Sequence, residues 1–534
     1  MLFTGKSISA RGRSALGGRG GKPLLVAGAA LLAVGVIGQY GPADEAAAGT
    51  GARAGEPYRP APLAWGACHD LPPAPPGGPA PRSLECAELT VPLDYSKPRG
   101  KTMEVALIRL RATDRAHRIG SLVFNFGGPG GSGIDHLAGS SAAQFKKLGT
   151  RYDLVSFDPR GVGRSRPVHC VGDKRKDEWL AMDTSPDNAR EKAALLSTGR
   201  AFVKGCANRS GETLPHVGTV AAARDLDVMR IALGDRKLNY FGFSYGTWLG
   251  AEYAHRFPKK VGRTVLDGAV NTELNPIRFF REQAAGFQRA LGHFGRWAAQ
   301  QPQAKANAKA KAKGPAKDAV VTRVATLLHG LDTKPIPTDT RRELTQSLGE
   351  AGVLTGLYSK AMWPALWQAI QQAESGDGTI LLALSDALFQ RSPDGQYTNY
   401  HDASGSIYCA STPQRYTERD VAKALPAFTK ASPVFGPTLA WRQMGCTGWP
   451  VKGTPTHHID APGAPPIVVI GNTGDPATPY TWAPALAEQL GSGVLLTLNG
   501  EGHGSYTTGN PCIQKAVNTY LLHGKPPVND TKCQ

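Results

Sequence analysis

Residues 238–257 read LNYFGFSYGTWLGAEYAHRF. A short apolar run, Leu238–Phe243, meets a helical pattern, Thr247–Phe257, through the turn Ser244-Tyr245-Gly246. Glycines at 242 and 246 bracket the serine, so the backbone can turn sharply and pass its neighbours without a Cβ in the way. A serine in such a strand-to-helix turn is lifted to the carboxyl edge of a sheet, at a helix N-terminus that favours negative charge. Ser244 is therefore the candidate nucleophile, and the G-x-S-x-G pattern gains its weight from the strand before it and the helix after it.

Working outward, strand and helix patterns alternate. Met103–Arg111 alternates apolar and polar residues, Leu122–Phe126 and Asp153–Phe157 are short apolar runs, Ala222–Leu233 has helical spacing, and Arg263–Leu266 reads as a strand. Such alternation predicts a mostly parallel sheet with helices on both faces. It stops between about Asn271 and Pro450, where helical patterns dominate: Pro276–Ala299, Ala319–Leu328, Arg341–Leu348, Met362–Ala373 and Ile380–Leu388. Strand signals return at Ile467–Ile470 and Val494–Leu498. The expected organisation is an export signal over 1–48, a Pro/Gly/Ala-rich lead or propeptide over 49–81, a core in two parts, 82–270 and 451–534, and a helical lid over 271–450.

A serine needs a base, and the base needs an orienting acid. On this sheet type the chain order is Ser, then Asp or Glu, then His. His503, in Gly502-His503-Gly504 after the last strand, is the candidate base, ahead of His401, His457 and His458. Asp475, just after the strand Ile467–Ile470, is the candidate acid, with Glu501 as the alternative. An oxyanion hole needs two N–H donors. Tyr245, the residue after the nucleophile, offers one; the Gly127–Gly133 loop offers the other, from Gly128 in preference to Gly127. That loop lacks a Gly-Lys-Ser/Thr ending, which argues against a P-loop. Asp158-Pro159-Arg160-Gly161 reads as a brace for neighbouring loops. No metal or organic cofactor is implied.

The chain has 534 residues, a globular composition and a net charge of +18. Its basic residues are scattered apart from the lysine-rich run Ala304–Lys317, and no nucleic-acid-binding signature accompanies them, so no nucleic-acid partner is expected. Lys6, Arg11, Arg13, Arg19 and Lys22 precede the apolar segment Pro23–Gly38 and the small residues Ala46–Ala48, the layout of a cleavable signal. Secretion, with no stable membrane insertion after cleavage, is the expectation. Eight cysteines fit disulfides in an exported protein. Nearest-neighbour pairing, Cys68 with Cys86, Cys170 with Cys206, Cys409 with Cys446 and Cys512 with Cys533, is the simplest of the 105 connectivities that eight cysteines allow.

Together these pieces resemble the α/β-hydrolase fold with a large helical lid. More narrowly, Leu84–Pro98, Gly127–Gly133, Asp158–Pro167, Gly242–Gly246, Asp475–Tyr480 and the pair Cys512 and Cys533 resemble the secreted tripeptidyl aminopeptidases of actinobacteria, relatives of proline iminopeptidases. The resemblance implies a serine exopeptidase that releases short peptides, tripeptides in that family, from free N-termini of peptides or proteins. A prolyl aminopeptidase and an esterase or lipase on the same triad are the alternatives, and an envelope-binding protein with a vestigial site is a rival of another class. An aminopeptidase must also hold an ammonium group, by a carboxylate or several carbonyls. The lid acids Glu273, Glu282, Glu374, Asp377, Asp386 and Asp402 are candidates among which the sequence does not choose.

Overall fold

A computed structural model describes residues 58–73, 83–301, 316–455 and 457–534. The expected export segment 1–48 and most of the basic run 304–317 lie outside the described residues. Among the described residues ten strands form one sheet: β1 (Gly66–Ala67), β2 (Leu84–Pro92), β3 (Thr102–Leu110), β4 (Gly120–Asn125), β5 (Tyr152–Phe157), β6 (Leu238–Phe243), β7 (Val261–Asp267), β8 (Ile467–Gly474), β9 (Gly493–Glu501) and β10 (Thr531–Cys533). Their order is β1-β2-β3-β5-β4-β6-β7-β8-β9-β10. β1, β2, β3 and β5 pair antiparallel in succession, and every other pairing is parallel. This is the α/β-hydrolase architecture.

The apolar runs form central strands because both faces of the sheet are covered. Val123, Val155, Leu266, Ile467 and Val469 point to one face, where they join the core that also holds Leu226 and Leu249. Their chain neighbours Leu122, Phe124, Leu154, Val265, Val468 and Ile470 point to the other, where Val517 and Leu521 pack. On the first side lie helices α1 (Thr219–Ala232) and α2 (Tyr245–Arg256). The second is covered partly by the C-terminal helix Pro511–His523.

Between β7 and β8 the described residues are mainly helical, with α3 (Pro276–Ala298), α4 (Ala316–Thr333), α5 (Gln346–Leu357), α6 (Trp363–Glu374), α7 (Thr379–Phe389), α8 (Tyr400–Ser411), α9 (Glu418–Ala431) and α10 (Gly436–Trp441). Most of these helices share a core of their own that includes Phe287, Phe294, Trp363, Trp367, Phe428 and Phe435. The helix expected over Arg341–Leu348 is displaced: Leu344 pairs with Ile336 in a β-bridge, and α5 starts at Gln346. The cause is local. Thr338 Oγ1 donates to the Arg342 carbonyl (2.6 Å) and Thr340 Oγ1 accepts from the Arg342 N–H (3.0 Å), so hydroxyls take the groups that a helix would pair. The α8, α9 and α10 helices were not anticipated.

Disulfides join Cys68 to Cys86, Cys170 to Cys206, Cys409 to Cys446 and Cys512 to Cys533. They match an oxidising compartment. No helix among the described residues is long and apolar enough to cross a membrane.

The loop after β5 braces its surroundings as a set of buried polar contacts. Asp158 accepts from Ser132 Oγ (2.6 Å), the Ile134 N–H and the Arg164 N–H. Arg160, fully buried, makes two 2.6 Å bonds to Asp225 and donates to the carbonyls of Pro92, Leu93 and His216, which uses all five of its donors. Replacing Arg160 by Met leaves Asp225 buried without its counter-charge, so denaturant unfolding should show a loss of about 3–5 kcal/mol.

Glu350 in α5 is buried with a single partner, Thr438 Oγ1 at 2.7 Å, and burial pushes its carboxyl up to about 7. The folded state therefore holds this proton more tightly than the unfolded chain, and its contribution to stability falls as pH rises from 4.5 to about 7. Glu350→Gln should melt higher than the parent at about pH 8, with the gap shrinking as the pH falls to about 4.5.

Candidate active site

Ser244 has φ 55° and ψ −122°, a left-handed backbone rare for a residue with a side chain. The turn is held from several sides. Its N–H donates to the Asp267 carbonyl at the end of β7 (3.0 Å), and its carbonyl accepts from both the N–H (2.8 Å) and the Oγ1 (2.6 Å) of Thr247. Gly246 has no room for a side chain, since a Cβ there would stand 2.5 Å from the Asn125 carbonyl oxygen.

The glycine loop lies against this elbow. A Cβ on Gly127, at φ +93°, would stand 2.6 Å from the Phe243 carbonyl and 2.9 Å from Ser244 Cβ. The Gly127 N–H is committed to Asn125 Oδ1 at 3.0 Å. Among the described residues neither the Gly128 N–H nor the Tyr245 N–H has an acceptor. Tyr245 is the first residue of α2, so its N–H is one of the unpaired donors at a helix start. Its phenol is anchored away from the loop, on Thr219 Oγ1 at 2.9 Å.

His503 and Asp475 meet. The imidazole Nδ1 lies 3.0 and 2.9 Å from the two carboxylate oxygens of Asp475. Ionised carboxylate oxygens only accept, so Nδ1 carries the proton and Nε2 is left as the base. Asp475 is 1% exposed and accepts from the Ala477 and Thr478 N–H groups and from Thr478 Oγ1 (2.9 Å). Thr478 Oγ1 is also 3.2 Å from His503 Nδ1. The ring sits at the elbow: a Cβ on Gly268 would stand 3.1 Å from His503 Cε1, and Gly268 follows the residue whose carbonyl holds Ser244.

Three contributors were not singled out from sequence. Thr478 lies inside the Asp475–Tyr480 motif, so a hydroxyl three residues past the acid was the available signal. Tyr358 gives its carbonyl to the His503 N–H (2.7 Å) and its ring edge to the imidazole, with centroids 5.5 Å apart. The Asp267 carboxylate accepts from the N–H groups of Ser505 and Tyr506, and burial pushes it up to about 6. Tyr358 opens the stretch Tyr358–Asp386 that resembles the family's helical lid, while Asp267 carries no motif signal.

The alternatives lie elsewhere. Glu501 pairs with His293 Nδ1 at 2.6 Å. His401 packs among Trp179, Phe202 and Phe389, and burial pushes it down to about 4. His457 faces Glu252 at 3.0 Å, and His458 bonds Glu273 at 2.7 Å. The remaining lid acids are engaged as well. Glu282 holds Arg278 and the Trp482 indole, Glu374 holds Arg323, and Asp386 holds Arg342. Asp377 accepts from Gln372 and Thr379, and Asp402 from the Cys170 N–H, with Lys176 at 3.2 Å.

Such a constellation can take a proton from a hydroxyl and hold an oxyanion. The family model for TAP-like proteins matches residues 432–533. The chain is 37% identical over 494 residues to serine protease Hip1 of Mycobacterium tuberculosis, covering 90% of this chain and 93% of that one. It is 33% identical over 463 residues to a tripeptidyl aminopeptidase of Streptomyces lividans (85% and 84% covered) and 34% identical over 464 residues to carboxylesterase B of M. tuberculosis (85% and 86%). With the strand order and the elbow in place, this likeness along most of its length makes the chain a member of the tripeptidyl aminopeptidase-like family of serine peptidases, which have the α/β-hydrolase fold.

Proposed function

We propose that this serine peptidase is an exported exopeptidase that releases short peptides, tripeptides in the first instance, from free N-termini. The observation that carries the reading is the hydrogen-bonded pair of His503 and Asp475 set beside the Ser244 elbow. Ser244 Oγ attacks the scissile carbonyl while His503 Nε2 takes its proton. The N–H groups of Tyr245 and Gly128 hold the oxyanion. His503 returns the proton to the leaving amine, and Asp475 stabilises the imidazolium. Water, activated by the same imidazole, then releases the acyl group. Four disulfides and the basic-then-apolar N-terminal sequence support export, and the likeness to a tripeptidyl aminopeptidase supports the release of short peptides.

A second reading is an esterase on the same residues. It is favoured by the partners that all six candidate lid acids already have, and by the relative named as a carboxylesterase. An ammonium group would have to displace one of those partners or bind to carbonyl oxygens instead.

The deciding experiment compares an unblocked tripeptide anilide, its N-acetylated twin, a prolyl anilide and a short-chain aryl ester. Wild type should cleave the free tripeptide and leave the acetylated one, and Ser244→Ala should cleave neither. Turnover of the ester alone would establish the esterase. Thr478→Val removes the hydroxyl shared by Asp475 and His503. It should lower kcat by about tenfold to a hundredfold with little change in KM, because it disturbs the imidazolium and not the substrate contacts.

A further inference from the structure

An oxyanion donor acts by being aimed before the reaction begins. The loop that carries Gly128 is poorly suited to hold itself, because five of the seven residues Gly127–Gly133 are glycine, the residue with most backbone freedom to lose. Its two ends are pinned: Asn125 Oδ1 takes the Gly127 N–H, and Ser132 Oγ donates to Asp158 (2.6 Å). Between them the loop leans on α8, a helix of the insertion. A Cβ on Gly128 would stand 3.4 Å from Tyr400 Cε2. One on Gly130, at φ +96°, would stand 2.8 Å from both the Tyr400 carbonyl oxygen and the Ser404 nitrogen. The Tyr400 ring therefore lies beside Gly128, and the first turn of α8 lies against Gly130.

This helix is itself fixed to the sheet. Its buried residues Ala403, Ile407, Cys409 and Ala410 join the core that holds Leu226 and Leu249, whereas other lid helices pack around Phe287 and Phe428. Asp402, fully buried, accepts from the Cys170 N–H (3.0 Å) and lies 3.2 Å from Lys176 Nζ. Asn399 stands at the N-cap of α8, where an asparagine side chain ordinarily accepts from its own helix. Here it reaches across to the loop after β5. Its Nδ2 donates to the carbonyls of Gly161 (2.8 Å) and Val168 (3.1 Å), and its Oδ1 accepts from the Gly163 N–H (2.9 Å). The next residue, Arg164, donates its N–H to the same Asp158 that holds Ser132 (2.8 Å). The start of α8 thus meets the glycine loop directly, and again through Asp158.

We propose that Tyr400 and Asn399 are positioning residues for the oxyanion hole. Tyr400 supports Gly128 with its ring, and Asn399 locks the start of α8 to the loop that Asp158 ties to Ser132. The inference rests on the reading of Ser244 as nucleophile and Gly128 as oxyanion donor. It holds for a peptide or an ester alike, since both pass through a tetrahedral oxyanion.

The test uses the purified full chain with a free tripeptide anilide and a short-chain aryl ester. It adds the trifluoromethyl ketone matching whichever substrate is cleaved, which Ser244 Oγ converts to a charged hemiketal, and the corresponding alcohol, which binds without forming one. Misplacement of a reacting group by about 1 Å can cost about a hundredfold. Tyr400→Ala should therefore lower kcat by about tenfold to a hundredfold with KM within about threefold of wild type. Its inhibition constant for the ketone should rise by about the factor by which kcat/KM falls, with that for the alcohol unchanged. Tyr400→Phe, which keeps the ring, should bring kcat back to within about threefold of wild type. Asn399→Ala should follow Tyr400→Ala; it strips three backbone groups of their partner, and should it fail to fold, the Tyr400 pair decides alone. An unchanged kcat in Tyr400→Ala overturns the proposal. So does a loss carried by KM and shared by ketone and alcohol, which makes Tyr400 a wall of the substrate site, and so does an equal loss in Tyr400→Phe, which assigns the effect to the hydroxyl. Turnover that survives Ser244→Ala, or no turnover of either substrate by wild type, refutes the serine-hydrolase reading and the inference with it.

Discussion

The left-handed backbone at Ser244 is the constraint around which the molecule is arranged. A non-glycine residue held there costs of order 1–3 kcal/mol and persists only when its surroundings fix it. The end of β7 does much of the fixing. The Asp267 carbonyl takes the Ser244 N–H, and its carboxylate takes the N–H groups of Ser505 and Tyr506, in the loop that carries His503. One residue therefore holds the candidate nucleophile through its main chain and the base loop through its side chain. Its neighbour Gly268 leaves space for the imidazole.

Placing that carboxylate without a counter-ion is costly, and burial drives it up to about 6 in spite of its N–H partners. Asp475, equally buried, is satisfied by three N–H groups, a hydroxyl and the imidazole. The two aspartates divide the work: Asp267 positions a loop, and Asp475 faces the ring. The lid enters through Tyr358, whose carbonyl receives the His503 N–H, so the helical insertion and the candidate base are mechanically joined. Elsewhere the lid pairs several of its own charges, Arg323 with Glu374 and Arg342 with Asp386.

Much of the fold was legible because its signals are local. Strand runs such as Leu122–Phe126 and Ile467–Ile470 are apolar on both faces, and their alternation with helices leads to a parallel sheet. Pro276–Ala299 read as a helix and forms α3 over Pro276–Ala298. The failure at Arg341–Leu348 is instructive: threonine hydroxyls competed for the backbone, which periodicity does not register. The sequence favours Gly128 over Gly127, and the Asn125 Oδ1 that occupies the Gly127 N–H supplies a physical reason for that order.

The sequence by itself determined the chemistry on offer: a serine in a strand-to-helix turn, a later aspartate and histidine beside strand ends, a glycine loop and paired cysteines. Each is a short segment whose residue types constrain its own backbone. Only the tertiary structure decided which groups face one another. It brought His503 to Asp475 across 28 positions, set Thr478 between them and gave each candidate lid acid a partner. Those outcomes depend on burial and on contacts between distant segments, and neither is written in the spacing of any one stretch of chain.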